Sequence, residues 1–426
     1  MAWEFKEFNL DELGFLGRGK SKHRPRNDPS LYGGDYPFVQ TGDVKAANLY
    51  VNNFEQSYSK KGLAQSKLWE KETLVITIAA NIAETAVLGL DACFPDSVVG
   101  FIPNEELVDV YFIKYYIDFI KREMQSISQG TTQDNLSLDK LRTFKFKIPK
   151  DRAKVSKISE TLLNYDNLIE NNNRRITILE DMAQSLYREW FVNFRYPSHK
   201  DNLDADGNPK LVDSPLGQIP EGWEVGELKS FCSKIGSGAT PRGGKGAYKK
   251  EGIPLIRSMN IYDSTLITKD LAFIDDEQAA RLKNVIVEPD DVLLNITGAS
   301  VARCSIVPSA YTPARVNQHV AIIRLNSERL SPEYVMYTLI SKNGKARLLS
   351  TAQGGATREA LTKTDIEKFQ VVLPPSEVVD KFNSFVKDAV KQKEVLFLKN
   401  ENLKNQRDML LPKLISGQIE LECHYV

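Results

Sequence analysis

The stretch VSKISETLLNYDNLIENNNRRITILEDMAQSLYREW, Val155–Trp190, decides the architecture. Its apolar positions are Val155, Ile158, Leu162, Tyr165, Ile169, Ile176, Leu179, Ala183, Leu186 and Trp190, with Asn172 in the same series. The steps alternate between three and four residues, which is the a/d seam of a heptad repeat. A second run keeps the phase through Phe382, Val386, Ala389, Lys393, Leu396, Asn400, Leu403, Arg407, Leu410 and Leu414. Each covers about five heptads, roughly 50 Å of helix. Asn172 and Asn400 are polar seam positions, which fix register at some cost in stability. A helix lying on its own domain needs a wider apolar stripe, so a coiled-coil pair is the expectation.

What precedes each helix is also duplicated. YPFVQTGDV (Tyr36–Val44) resembles IPLIRSMNI (Ile253–Ile261), and TLVITIAANIAETAVLG (Thr73–Gly89) resembles DVLLNITGASVARCSIV (Asp291–Val307). SISQGTTQDNLSLDKLRTFKFKIP (Ser126–Pro149) resembles LSTAQGGATREALTKTDIEKFQVVLP (Leu349–Pro374). The offset stays near 220 residues, too long for a solenoid, and reads as the duplication of one unit. Short β-like runs with helical runs among them predict a mixed α/β (α+β) domain. The expected organisation is a globular domain over 1–150, a spacer helix over 151–196, a linker over 197–222, a second domain over 223–375 and a second spacer helix over 376–426. The linker, RYPSHKDNLDADGNPKLVDSPLGQIPEG, is rich in Pro, Gly, Asp and Asn.

The 426 residues carry 56 Lys+Arg and 56 Asp+Glu, so the net charge is zero. A lone nucleic-acid binder is more often basic; here any positive field must be local or shared with partners. Cys93, Cys232, Cys304 and Cys423 lie far apart, which argues against a zinc module or a disulfide framework and suggests a cytoplasmic setting. The N-terminus does not read as a signal peptide, and no apolar run is long enough for a membrane span.

Gly14–Ser21, GFLGRGKS, matches the phosphate-loop pattern G-x-x-x-x-G-K-[ST]. The match fails on context. FNLDEL is a poor preceding strand, and Pro25 and Pro29 prevent a helix from following. The second copy, IGSGATPRGGKGAYKKEGIPL, lacks the spacing but keeps glycines and scattered bases. What remains is a basic Gly-rich loop in each half, read as flexible and suited to phosphate. No G-x-S-x-G, no H-E-x-x-H and no clustered histidines point to catalysis. Pro95-Asp96 and Pro289-Asp290 read as turns rather than a metal nuclease site.

Two domains alternating with two heptad helices resemble the specificity subunit of a type I restriction–modification enzyme. GQIPEGWEVGELKSFCSKIGSGATP (Gly217–Pro241) is similar to the start of a target-recognition domain in that family. LPPSEVVDKFNSFV (Leu373–Val386) and LLPKLISGQIEL (Leu410–Leu421) resemble its helix entry and C-terminal end. The resemblance covers essentially the whole chain, with the first domain starting almost at Met1. It implies two target-recognition domains, each reading half of a split, asymmetric DNA site, on an antiparallel pair of spacer helices with pseudo-two-fold symmetry. A span of roughly 50 Å corresponds to about 15 base pairs. The resemblance also implies two methyltransferase subunits and, in restricting complexes, motor–nuclease subunits. Those partners would supply the S-adenosylmethionine, ATP and Mg²⁺ chemistry; this chain shows motifs for none of it and is expected to be non-catalytic and to bind no cofactor or metal.

Matching the halves singles out three loops in each as DNA-reading candidates. The first holds Arg18, Lys20, Lys22, Arg24 and Arg26, paired with Thr240, Arg242 and Lys245. The second holds Gln40 and Thr41, paired with Arg257, Ser258 and Asn260. The third holds Gln129, Thr131, Thr132, Gln133 and Asn135, paired with Gln353, Thr357 and Arg358. Gln and Asn suit adenine edges and Arg suits guanine, whereas the loop lysines suit phosphate. Asn295–Ser300 and Val316–Val320 are secondary candidates. A fused methyltransferase is one rival, but Leu373-Pro374-Pro375 is the nearest approach to its motif. A non-DNA coiled-coil scaffold is the other; it explains the helices but not the twin basic loops.

Overall fold

The computed structural model describes residues 3–129, 136–354 and 359–421, with 127–129 as backbone only. The chain divides into two compact units, Met1–Arg174 with Leu396–Val426, and Arg175–Val395. Both boundaries fall inside the long helices Arg152–Phe191 and Ser376–Ile415, of 40 residues each.

No Gly or Pro interrupts the first long helix. The Asp151 carboxylate accepts from the Ala153 amide at 3.0 Å at its start. The second begins directly after Pro374-Pro375, where a missing N–H costs nothing. It ends at Gly417, whose φ of +74° lets its amide return to the Leu414 carbonyl at 3.2 Å. In the first unit the helices run antiparallel: Asn172 Nδ2 donates to Asn400 Oδ1 at 2.9 Å, and Asp166 meets Arg407 further along. In the second unit the same sense holds, Glu180 pairing with Lys393 and the Trp190 ring meeting Phe382 at 6.2 Å. No seam position is exposed. The polar seam residues Asn172, Lys393 and Asn400 are buried and hydrogen-bonded, which avoids the cost of unpaired buried groups.

The first unit holds a five-stranded sheet in the order Gly14–Arg18, Val98–Pro103, Leu74–Thr77, Thr85–Leu88, Tyr50–Val51. A four-stranded sheet follows the order Gln56–Tyr58, Tyr32–Phe38, Ala92–Cys93, Leu68–Trp69. A ribbon, Phe5–Asn9 with Lys145–Pro149, closes the domain. The second unit has the same plan. Its sheets run Cys232–Ser237, Val320–Leu325, Val292–Asn295, Cys304–Ile306, and Ala272–Ile274, Ile253–Ile256, Ala314–Val316, Ile286–Val287, with the ribbon Glu224–Glu227 on Gln370–Leu373. The mixed fold class and duplicated halves expected from sequence are therefore present. The short apolar runs are buried strands: every residue of Leu74–Thr77 and Val292–Asn295 is inaccessible. In the second unit Phe382, fully buried, meets Tyr187, Trp190, Phe191, Tyr334 and Tyr337 edge-on or tilted, joining helix seam and domain core.

The stretch expected to be an unstructured linker contains a β-hairpin, Leu211–Ser214 on Gly217–Pro220. Gly217, at φ +93°, provides the left-handed turn. Turn-rich composition reads as loop, but it also encodes a tight hairpin.

Candidate nucleic-acid interface

Within each unit the candidate loops are tied together by backbone bonds that recur at matching positions. Gly19 N–H donates to Val98 O at 2.9 Å, as Gly238 does to Val320 at 2.9 Å. Lys20 N–H reaches Phe94 O at 3.0 Å, as Ala239 reaches Val316 at 3.0 Å. Ile78 donates to Ser97 and Ile296 to His319; Leu136 then donates to Ile78 and Leu361 to Ile296, all at 2.8 to 3.0 Å. The hairpin loops before Ala83 and Ala302 also match, both residues taking left-handed φ of 59° and 67°. Such strain in a non-glycine loop persists only where the surroundings enforce it.

The side chains on this shared frame differ. Asp96 stands where the second unit has Gln318, Ser97 where it has His319, and Gln40 where it has Arg257. In the first unit Arg26 Nη2 binds both oxygens of Asp96 at 3.0 Å, an exposed pair worth about 0–1 kcal/mol that an incoming phosphate can displace. In the second, Thr240 Oγ1 bonds Gln318, and Thr297 Oγ1 lies 2.7 Å from His319 Nδ1. Gly298 N–H donates to Glu359 O at 3.2 Å, and Asn295 Nδ2 donates to Ser258 O at 2.8 Å. The secondary candidates 295–300 and 316–320 thus join the basic and RSMNI loops in one cluster.

The first basic loop is a built structure, which corrects its reading as flexible. Gln65 Oε1 accepts from the amides of Lys22 and His23 at 2.5 and 3.0 Å, and Ser66 Oγ donates to Lys20 O at 2.7 Å. Arg24 Nη1 donates to Ser21 O and His23 O at 2.7 and 2.8 Å, so it braces the loop. His23 Nε2 lies 3.0 Å from Asp28, whose carboxylate the Ser30 hydroxyl, Ser30 amide and Lys61 hold well below its ordinary range. Arg18, Lys20 and Lys22 are exposed and make no ion pair among the described residues. In the second unit Arg242 is anchored by its backbone, exchanging bonds of 3.2 and 3.3 Å with the Gln278 amide, while its exposed guanidinium and Lys245 make no such pair among the described residues.

QTGDV and RSMNI are helix entries rather than open loops. Thr41–Ala46 is a short helix whose Asp43 carboxylate accepts the Gln40 amide at 2.7 Å. Ser258–Asn260 is a 3₁₀ turn in which Asn260 Oδ1 accepts the Arg257 amide at 3.1 Å. Asn260 is fully buried and also donates to Ile267 O at 2.9 Å, so it holds the turn and presents no edge to a base. That corrects its place among the DNA readers: composition alone does not separate a capping Asn from an exposed one. The i, i+3 spacing of Gln40–Asp43 and Arg257–Asn260 is the available signal. Gln40 Nε2 donates to Gln56 at 3.0 Å, and Thr41 and Ser258 are half-buried on their respective entries. Arg257 donates to Asp270 O and lies 5.4 Å from the Tyr248 ring. Of the third loops, Gln129 ends the helix Val110–Gln129, and exposed Gln353 donates to Glu359 at 3.3 Å. Thr131, Thr132, Gln133, Asn135, Thr357 and Arg358 lie outside the described residues. Sequence reasoning missed Gln65 and Ser66, for which no local pattern signals a brace to a loop some forty residues earlier.

The profile of the type I restriction modification DNA specificity domain matches residues 3–181 and again 220–402, once per half. The chain belongs to that family. It is 26% identical to the type I restriction enzyme MjaIX specificity subunit of Methanocaldococcus jannaschii, over 99% of this chain and 94% of that one. The HindI specificity subunit of Haemophilus influenzae is 22% identical over 98% and 100%. The crystal structure of a type I restriction–modification S subunit from M. genitalium matches with a TM-score of 0.60 at 14% identity, covering 97% of this chain and 96% of that one, a likeness of fold. Among the described residues no helix is long and apolar enough to cross a membrane.

Proposed function

We propose that this chain is the DNA-reading subunit of a type I restriction–modification complex and that its two domains read the two parts of a split, asymmetric site. The carrying observation is the pair of matched loop frames bearing different side chains. A repeated backbone frame suits a repeated docking geometry; Asp96 against Gln318 and Gln40 against Arg257 suit different bases. Exposed Lys20, Lys22, Arg242 and Lys245 would hold phosphate. The chain itself would perform no bond chemistry. Two adenine methyltransferase subunits, and motor–nuclease subunits in a restricting complex, would act where it places them, using S-adenosylmethionine, ATP and Mg²⁺. Family membership and the twin basic clusters disfavour the scaffold alternative.

The test is modified-base mapping of genomic DNA with the gene intact and deleted. A methyl-adenine mark at a split, asymmetric motif should vanish on deletion, and exchanging either domain should change one half of the motif. An unchanged methylome with chain and methyltransferase both expressed, or an uninterrupted palindrome as target, would overturn the reading.

A further inference from the structure

Beside the first basic loop lies a cation outside the candidate loops. Lys67 Nζ stands 3.5 Å from the centroid of the Trp69 ring and 4.9 Å from that of Phe15. Trp69 is 2% exposed and stacks on Phe94 at 5.0 Å, so the platform is rigid; Lys67 is half-buried against it, beside the 54% exposed Phe15 at the domain surface. Gly17 and Gly100 make the platform possible, because a Cβ on either would approach the indole within 2.8 and 2.7 Å. The preceding residues, Gln65 and Ser66, are those that pin the backbone of Lys20, Lys22 and His23. Among the described residues neither Lys67 nor Lys20 makes an ion pair. Burial, then the nearby Lys20 charge, lowers the Lys67 ammonium pKa, as expected where two cations share a place with no carboxylate between them.

We propose that Lys67 is a DNA-backbone phosphate contact, held ready on an aromatic platform that the second domain lacks. In the second unit the strand Ile286–Val287 occupies the place of Leu68–Trp69, so Val285 and Val287 replace the lysine and the tryptophan. Lys234, in the place of Phe15, is the lysine on that side of the second unit, and its Nζ donates to Asn284 O at 2.9 Å, so a lysine held on an aromatic platform at this position belongs to the first domain. A lysine ammonium is a point charge without the fork that reads guanine, so it positions the duplex and carries no sequence information. The aromatic platform restrains a side chain that otherwise loses much rotamer freedom on binding.

This inference rests on the DNA-reading function, and one experiment separates the two. Binding of the complex with its methyltransferase partner is measured from 50 to 300 mM salt on the mapped target duplex and on a scrambled one. K67M keeps an aliphatic stem on Trp69 and removes the charge. Its log K against log salt slope should be shallower by about 0.9 on both duplexes, with affinity about fivefold weaker at 0.15 M salt and target preference unchanged. K67R should restore the slope. A wild-type slope for K67M, or an altered target preference with the slope intact, overturns the phosphate contact while leaving the DNA-reading function standing. A wild-type complex that binds both duplexes equally, or neither, brings down both.

Discussion

Replacing Asp166 by alanine should loosen the helix pair of the first unit selectively. Asp166 is 2% exposed, accepts the Tyr115 hydroxyl at 2.5 Å and pairs with the Arg407 guanidinium. Burial, then the Asp166 charge, pushes the Tyr115 hydroxyl pKa far up, so tyrosine remains the donor. The alanine removes both acceptors and leaves Arg407, with 21% of its side chain exposed, facing the seam. Breaking a buried pair costs about 3–5 kcal/mol. Arg407 keeps Asp408 at 2.8 Å and some solvent, which places the cost near the lower end, about 3 kcal/mol. At about 1.4 kcal/mol per tenfold, that is roughly 150-fold faster opening. Native-state hydrogen exchange reads it directly: amides of 152–174 and 396–415 should exchange about 150-fold faster, while those of the second unit keep wild-type rates. The triple variant D166L/R407M/Y115F replaces the polar set by apolar groups of similar volume and should return to within about 1 kcal/mol of wild type. Exchange in D166A within threefold of wild type, or a triple variant no slower than D166A, would refute the reasoning.

Asn260→Ala should cost about 2 kcal/mol in urea unfolding, because a buried turn loses its cap; unchanged stability would return Asn260 to the candidate base readers. Asp28 has a depressed folded pKa, so its contribution to the basic loop is present above the ordinary carboxylate pKa of about 4 and is lost as pH falls below it. The Asp28 side-chain carboxyl carbon resonance reads this directly and should titrate only well below about pH 4, while its Ser30 amide partner stays bonded at 2.9 Å; a carboxyl titration centred near about pH 4 would contradict this. Burial pushes the Cys232 thiol up to about 12, so alkylation at pH 8 should run roughly three orders of magnitude slower than for a free thiol, and a rate near the free-thiol value would show that the site opens.

The helix pair is legible in the amino-acid sequence because heptad spacing is a local property: Val155 to Trp190 carries its seam whatever it packs against. The duplication is legible for a similar reason, since two copies of one backbone plan leave matching strand and turn text at a near-constant offset. The candidate site is legible only as a neighbourhood. The basic loop, QTGDV and RSMNI fall within it, yet their helix-entry character escapes a reading by composition, although Asp43 and Asn260 carry the capping signal. The hairpin at Leu211–Pro220 escapes it because a turn and a linker share their composition.

The order of domains and helices, the pairing seam and the kinship of the halves all depend on spacing along the chain, and the sequence alone carries them. Which polar side chains are available to DNA is settled by tertiary contacts. Arg26 meets Asp96 from 70 residues away, Lys22 is pinned by Gln65 from 43, and Lys67 rests on an indole that two glycines admit. Whether a side chain is occupied or available depends on partners that folding brings from distant positions, and no local pattern records their arrival.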